Sequence, residues 1–175
     1  MKYLKKLDMK IFHFINNTIK TSFLDKLFPI ITHIGSALVT LIFSLILLIL
    51  GNRQFKIIGL LCMMSLAFSF VVIQSLKRYF GRQRPFKSLK GINFFRNNLK
   101  DFSFPSGHTS AISSICFSIF FFFPEYWFIY LIFIILVGTS RIYLGVHYPS
   151  DVVIGGLVGF ICTSINYIVI INYIK

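Results

Sequence analysis

Three short stretches of this chain hold residue types that can handle a phosphate-like dianion. KRYFGRQRP carries Lys77 and Arg84, FPSGHTS carries Ser106, Gly107 and His108, and SRIYLGVHYPSD carries Arg141, His147 and Asp151. Moving a phosphoryl group calls for fixed positive charge around its equatorial oxygens. Lys77, Arg84 and Arg141 are candidates for that charge. The reaction also needs a nucleophile, and an acid to protonate the leaving oxygen. His108 and His147 could divide those two roles, and the residues alone leave the division open.

Spacing adds detail. Pro105-Ser106 reads as a helix start, with Ser106 near the N-cap. The first N–H groups of a helix lack internal partners and favour anions. Gly107 lets an anion approach the backbone closely, and His108 then falls in the first turn beside it. In the third stretch, Pro149 suits the first turn of another helix. Asp151 lies four residues after His147, so its carboxylate can reach back to one ring nitrogen. That contact fixes the tautomer and leaves the other nitrogen free to attack. Pro85 biases Arg84 away from helical backbone.

Each stretch alone has a plainer reading: a basic flank against acidic headgroups, an ordinary cap, an interfacial histidine. Their combination carries the argument. A metal centre built from His108, His147 and Asp151 is the competing use. Two arginines and a lysine would repel a cation there, and the whole chain has five Asp and Glu. No metal and no cofactor is therefore expected.

The elements that must position these residues are apolar. The chain has 175 residues, 56% of them hydrophobic, and a mean hydropathy of +0.79. That excludes an ordinary soluble domain and fits an integral membrane protein. Five apolar segments, at about 27–50, 55–76, 106–123, 126–140 and 152–174, read as helices, because lipid-facing backbone must satisfy its own hydrogen bonds. Residues 1–22 alternate lysines with apolar residues at near-helical spacing and read as an amphipathic helix on the membrane surface. The expectation is an all-α, polytopic membrane bundle: a single domain over 1–175 with about five transmembrane helices, an N-terminal surface helix, and its chemistry between 77 and 151. Threading five spans puts all three stretches, and the N-terminal helix, on one membrane face.

The formal net charge of +13 flanks the apolar runs rather than forming a basic tail, so no nucleic-acid partner is expected. Cys62, Cys116 and Cys162 lie inside apolar runs and read as small buried hydrophobes. His33, in THIGS, reads as an internally bonded structural histidine.

The three stretches, in this order and with this internal spacing, resemble the three-part signature of the type-2 phosphatidic acid phosphatase superfamily, which vanadium-dependent haloperoxidases share. The resemblance covers residues 77–151. It implies a metal-independent lipid phosphatase. His147 would be the nucleophile that becomes phosphorylated, Asp151 would orient it, and His108 would protonate the leaving group. Lys77, Arg84 and Arg141 would grip the phosphate, with Ser106 and the Gly107 backbone adding hydrogen bonds.

Membrane members of that family usually have six spans, so the missing one would be the first. Family active sites usually face away from the cytoplasm. Here the active face would carry 15 Lys and Arg against 3 on the other, which runs against the positive-inside rule. The expected localisation is the cell membrane of a bacterium, with the site on the extracytoplasmic face.

Compact relatives act on undecaprenyl pyrophosphate, phosphatidylglycerol phosphate, phosphatidic acid or lipid A 1-phosphate. A diphosphate handle that is mostly charge favours the first. Phenylalanines among the loop cations, at 86, 94, 95, 102 and 104, suit the headgroup level, so substrate is expected to enter sideways from the membrane. The alternatives are a lipid phosphotransferase, which shares these residues, and a non-catalytic scaffold for anionic lipid.

Overall fold

The computed structural model describes residues 2–95 and 99–174, without the side chains of 2–4 and 174. The loop cation Arg96, the terminal Lys175 and the side chains of Lys2, Tyr3 and Leu4 lie outside the described residues. No strand occurs among the described residues. The order is α1 (Lys2–His13), a π-helical turn (Phe14–Thr18), α2 (Ser22–Ile31), a 3-10 turn (Thr32–Gly35), α3 (Ala37–Leu50), α4 (Arg53–Phe80), α5 (Pro85–Ser88), α6 (Gly107–Phe120), a 3-10 turn (Pro124–Tyr126), α7 (Trp127–Tyr143) and α8 (Pro149–Ile174).

Three helical runs are long and apolar enough to cross a membrane: Arg53–Ser88, Pro124–Tyr143 and Pro149–Tyr173. A fourth is the pair Ser22–Gly35 and Ala37–Leu50, bent by 50° where one straight segment was expected. Ser36 explains the bend. It is extended and caps α3 by accepting a hydrogen bond from the Val39 N–H, so the chain restarts there in a new direction. The bend leaves His33 exposed, not buried in an internal hydrogen bond. The remaining segment, α6, has 14 residues and is about 21 Å long, short of a roughly 30 Å hydrocarbon core. The expected count of about five therefore goes beyond what length and composition show.

α6 is central, packed by α8, α4 and α7. Its inward face is rich in small polar residues, including Ser110, Ser113, Ser114 and Ser118. Gly155 and Gly159 let α8 come against that face, because a Cβ on either would collide with the backbone carbonyl of Ser106 or Ser110. This close approach joins the two helix starts that matter for the site: the Ser106 N–H donates to the Asp151 carbonyl at 2.9 Å.

Part of the apolar face of the N-terminal helix meets protein, while Leu7 and Ile11 stay exposed. Phe12 is buried against Tyr148 and Ile142, with Met9, Ile15 and Leu89 around them. Asn16, also buried, donates to the carbonyls of Tyr143 (2.7 Å) and Asn93 (2.9 Å) and accepts from the Asn93 N–H (2.9 Å). α1 is thus stitched to the loop after α5 and to the end of α7.

Candidate active site

The site lies where α4 ends and α6 and α8 begin. α4 stops at Gly81, whose φ of 55° is the left-handed conformation that closes a helix. Lys77 is in its last turn and buried. Arg84 is extended, at φ −72° and ψ 151°, as the proline after it requires. Ser106 is the N-cap of α6; its Oγ accepts from the Thr109 N–H at 3.4 Å and the Thr109 hydroxyl at 2.9 Å. Asp151, in the first turn of α8, reaches back to accept the Tyr148 N–H at 2.8 Å, the carboxylate half of a capping box.

Arg84 and His147 are in direct contact. Arg84 Nη1 lies 3.2 Å from His147 Nε2 and also donates to the Val146 carbonyl at 2.9 Å. A guanidinium has only donors, so Nε2 must present its lone pair. The ring proton then sits on Nδ1, which faces Asp151 Oδ2 at 3.5 Å. That distance is long for a hydrogen bond. His147 is buried. Its burial, then the charges of Arg84, Arg141 and Lys77, hold its pKa well below the ordinary 6.5. The ring is therefore neutral at pH 7, with the Nε2 lone pair pointed at a cation.

Asp151 is fully buried. Its Oδ2 also accepts from the Ser103 hydroxyl, and its Oδ1 from Arg82 Nη1 at 2.6 Å. Arg141, buried in the last turn of α7, donates to Thr32 Oγ1 at 2.7 Å across the chain. His108 is half-buried in the first turn of α6. It borders an apolar cavity of about 560 Å³ between α3, α4 and α6, which Lys77, Gln74, Ser110, Phe70 and Ile73 also line. All eight residues singled out by type and spacing thus lie at this end of the bundle. Among the described residues, no group of three or more His, Cys, Asp or Glu is placed to hold a metal.

Sequence reasoning missed Asp101. Its carboxylate bonds Lys77 Nζ through Oδ2 and Arg84 Nη2 through Oδ1, the latter at 2.7 Å, so it occupies two of the three candidate phosphate-gripping cations. Burial pushes its pKa up, but the Lys77 hydrogen bond and the Arg84 and Lys77 charges outweigh this and hold it at about 2. Arg82, Ser103, Thr32 and Asp8 were missed as well. One signal was available. The chain has only five acids, and Asp8, Asp101 and Asp151 all turn up in this one network.

A neutral imidazole with its Nε2 lone pair towards Arg84, a buried carboxylate behind it, and Lys77, Arg84 and Arg141 at the same end of the bundle beside an apolar cavity make up the candidate site. The chain belongs to the PAP2 superfamily, whose model matches residues 38–174. It is 40% identical over 95 residues to the bacitracin transport permease protein BcrC of Bacillus licheniformis, covering 52% of this chain and 47% of that protein. It is 32% identical over 114 residues to an undecaprenyl-diphosphatase of Sulfolobus acidocaldarius, covering 65% and 55%. The chain thus spans about half the length of the curated relatives it matches. The crystal structure of Aquifex aeolicus LpxE superposes with a TM-score of 0.79 at 30% identity, over 92% of this chain and 94% of that one.

Proposed function

We propose that this protein is an integral membrane lipid phosphatase that hydrolyses undecaprenyl pyrophosphate through a phosphohistidine on His147. The observation that carries the reading is the Arg84–His147 contact, because it makes Nε2 the unprotonated nitrogen and sets a phosphate-binding cation beside it. Lys77, Arg84 and Arg141 hold the terminal phosphoryl group, with Ser106 and the Gly107 N–H at the start of α6 completing the cradle. His147 Nε2 attacks phosphorus. The N–P bond forms as the bond to the leaving oxygen breaks, and protonated His108 gives that oxygen its proton. Asp151 stabilises the positive charge the His147 ring acquires. Neutral His108 then takes a proton from water, the oxygen attacks phosphorus, the N–P bond breaks and phosphate leaves.

The cavity beside His108 supports a lipid leaving group that enters from the membrane. The name of the Sulfolobus relative and the density of cation around a small handle favour a diphosphate. Five crossings, counting α6, put the site on one face, and we assign that face to the outside of a bacterial inner membrane. Several of its 15 cations are then substrate ligands rather than topology signals.

The test is release of phosphate by detergent-purified protein, with chelator present, from undecaprenyl pyrophosphate, phosphatidylglycerol phosphate, phosphatidic acid and lipid A 1-phosphate. The expected preference is for the first. A preference for a monophosphate glycerolipid rejects the substrate, and phosphate passed to a second lipid rejects hydrolysis. For the face, Lys90→Cys is informative because Lys90 is exposed while Cys62, Cys116 and Cys162 are buried. Labelling by an impermeant maleimide in intact spheroplasts is expected; protection until lysis reverses the orientation.

A further inference from the structure

We propose that Arg82, held in place by Asp8 of the N-terminal helix, is a positioning residue that aims the Asp151 carboxylate at His147. The inference rests on the phosphohistidine reading above. Neither residue belongs to the three-part signature.

Arg82 stands between two carboxylates. Its Nη1 donates to Asp151 Oδ1 at 2.6 Å and to Ser150 Oγ at 2.7 Å, and its Nη2 donates to Asp8 Oδ2 at 2.6 Å. The guanidinium lies over the Tyr148 ring, 3.9 Å from the centroid, so its plane is fixed as well as its ends. Asp8 is fixed in turn: its Oδ1 accepts the Ser150 N–H and its Oδ2 the Ser150 hydroxyl, both at 2.8 Å. A continuous chain of charge-assisted hydrogen bonds therefore runs from α1, through the loop after α4, to the first turn of α8.

The two Asp151 oxygens have separate jobs. Oδ2 accepts from Ser103 and the Tyr148 N–H and is the oxygen that faces His147 Nδ1. Oδ1 has Arg82 as its hydrogen-bond donor. Removing Arg82 leaves a buried oxygen without that donor. The carboxylate then rotates to find another, or takes up a proton. Rotation costs Nδ1–H its acceptor, and protonation takes away the negative charge that would stabilise the ring. Charge points the same way. Asp8, Arg82 and Asp151 together carry one net negative charge, and the positive charge that His147 gains when Nε2 bonds phosphorus balances it. The trio favours the phosphorylated ring over the resting one, as differential stabilisation requires.

The experiment uses full-length protein in detergent and whichever of the four lipids the parent hydrolyses best. Arg82→Gln, Arg82→Lys and Asp8→Asn are assayed alone and combined with Asp151→Asn, with His147→Ala as the blank. Arg82→Gln is expected to lower kcat about 10- to 100-fold, the scale of a small misplacement at the reacting centre, with KM within about twofold of the parent. Lysine, which keeps the charge but not the fork, restores part of the loss, and Asp8→Asn gives a smaller loss of the same kind. In the Asp151→Asn background all three effects should vanish, because residues acting through one partner are not additive. A loss of unchanged size in that background, or unchanged kcat in Arg82→Gln, overturns the proposal. Should Arg82→Gln fail to run as a single species on size exclusion, Arg82→Lys and Asp8→Asn decide by the same two criteria. Activity that survives His147→Ala rejects the phosphohistidine reading itself. An inert His147→Ala beside an indifferent Arg82 rejects only the inference drawn here.

Discussion

His147 and His108 stand at opposite extremes of restraint. His147 is buried, its Nε2 faces Arg84, its Nδ1 faces Asp151, and Arg82 and Ser103 brace that carboxylate. His108 is half-buried at the edge of the apolar cavity, and its ring makes no hydrogen bond among the described residues. The contrast suits the two proposed roles. A nucleophile must present one tautomer with its lone pair aimed. A group that gives a proton and later takes one cannot be locked into a single protonation state.

The most severe way to break the comparison is to remove each ring. His147→Ala should abolish phosphate release, while His108→Ala should lower it about 10²- to 10⁴-fold, the usual range for lost acid catalysis. A substrate whose leaving group needs no proton, such as p-nitrophenyl phosphate, sharpens the contrast. The His108→Ala deficit should shrink with it and the His147→Ala deficit should not. Equal deficits on both substrates would dissolve the distinction.

A second, smaller effect tests the scaffold. Gly155→Val puts a side chain against the Ser106 carbonyl and forces α6 and α8 apart. Overpacking of this kind costs about 1–3 kcal/mol, so a lower midpoint of thermal unfolding should accompany reduced activity. A stable, fully active variant would mean that the helix contact does not set the site.

The pH profile comes next. The proposed attack needs a neutral His147, whose pKa lies well below 6.5 because of burial, Arg84, Arg141 and Lys77, with Asp101 opposing them. Protonation of His147 therefore begins only on the acid side of 6.5, and the acid limb of kcat/KM should lie below 6.5. Arg84→Gln removes one of those cations and should move the acid limb upward, towards 6.5. A limb that stays put would place the titrating group elsewhere.

Asp101→Asn should have the smallest effect. It withdraws a full negative charge from Lys77 and Arg84. Substrate then displaces a weaker competitor, so KM should fall a few-fold with kcat little changed. A rise in KM would show that the carboxylate organises the cations instead of competing for them.

Much of this was legible in the sequence. Pro85, Ser106 and Pro149 have strong local preferences, so the extended Arg84 and the starts of α6 and α8 could be read from neighbouring residues. The Arg82 network could not. Arg82 meets Asp8 across 74 positions and Asp151 across 69, and nothing local distinguishes it from the other cations of its loop. Asp101 was hidden for the same reason, as one acid in a basic segment. The N-terminal helix was read correctly as amphipathic, but periodicity cannot say whether an apolar face meets lipid or protein, and Phe12 meets Tyr148. α6 was read as a crossing because it is apolar on average. Its serines turn inward, and the other helices gather around it, which the average could not show.

Asp151 holds the first turn of α8 closed with the same oxygen that faces the imidazole. Fraying at that turn would therefore disarm the nucleophile before any other helix had loosened. On heating, inactivation should run ahead of the loss of bulk helicity, and the gap between the two curves would measure how firmly one carboxylate guards both.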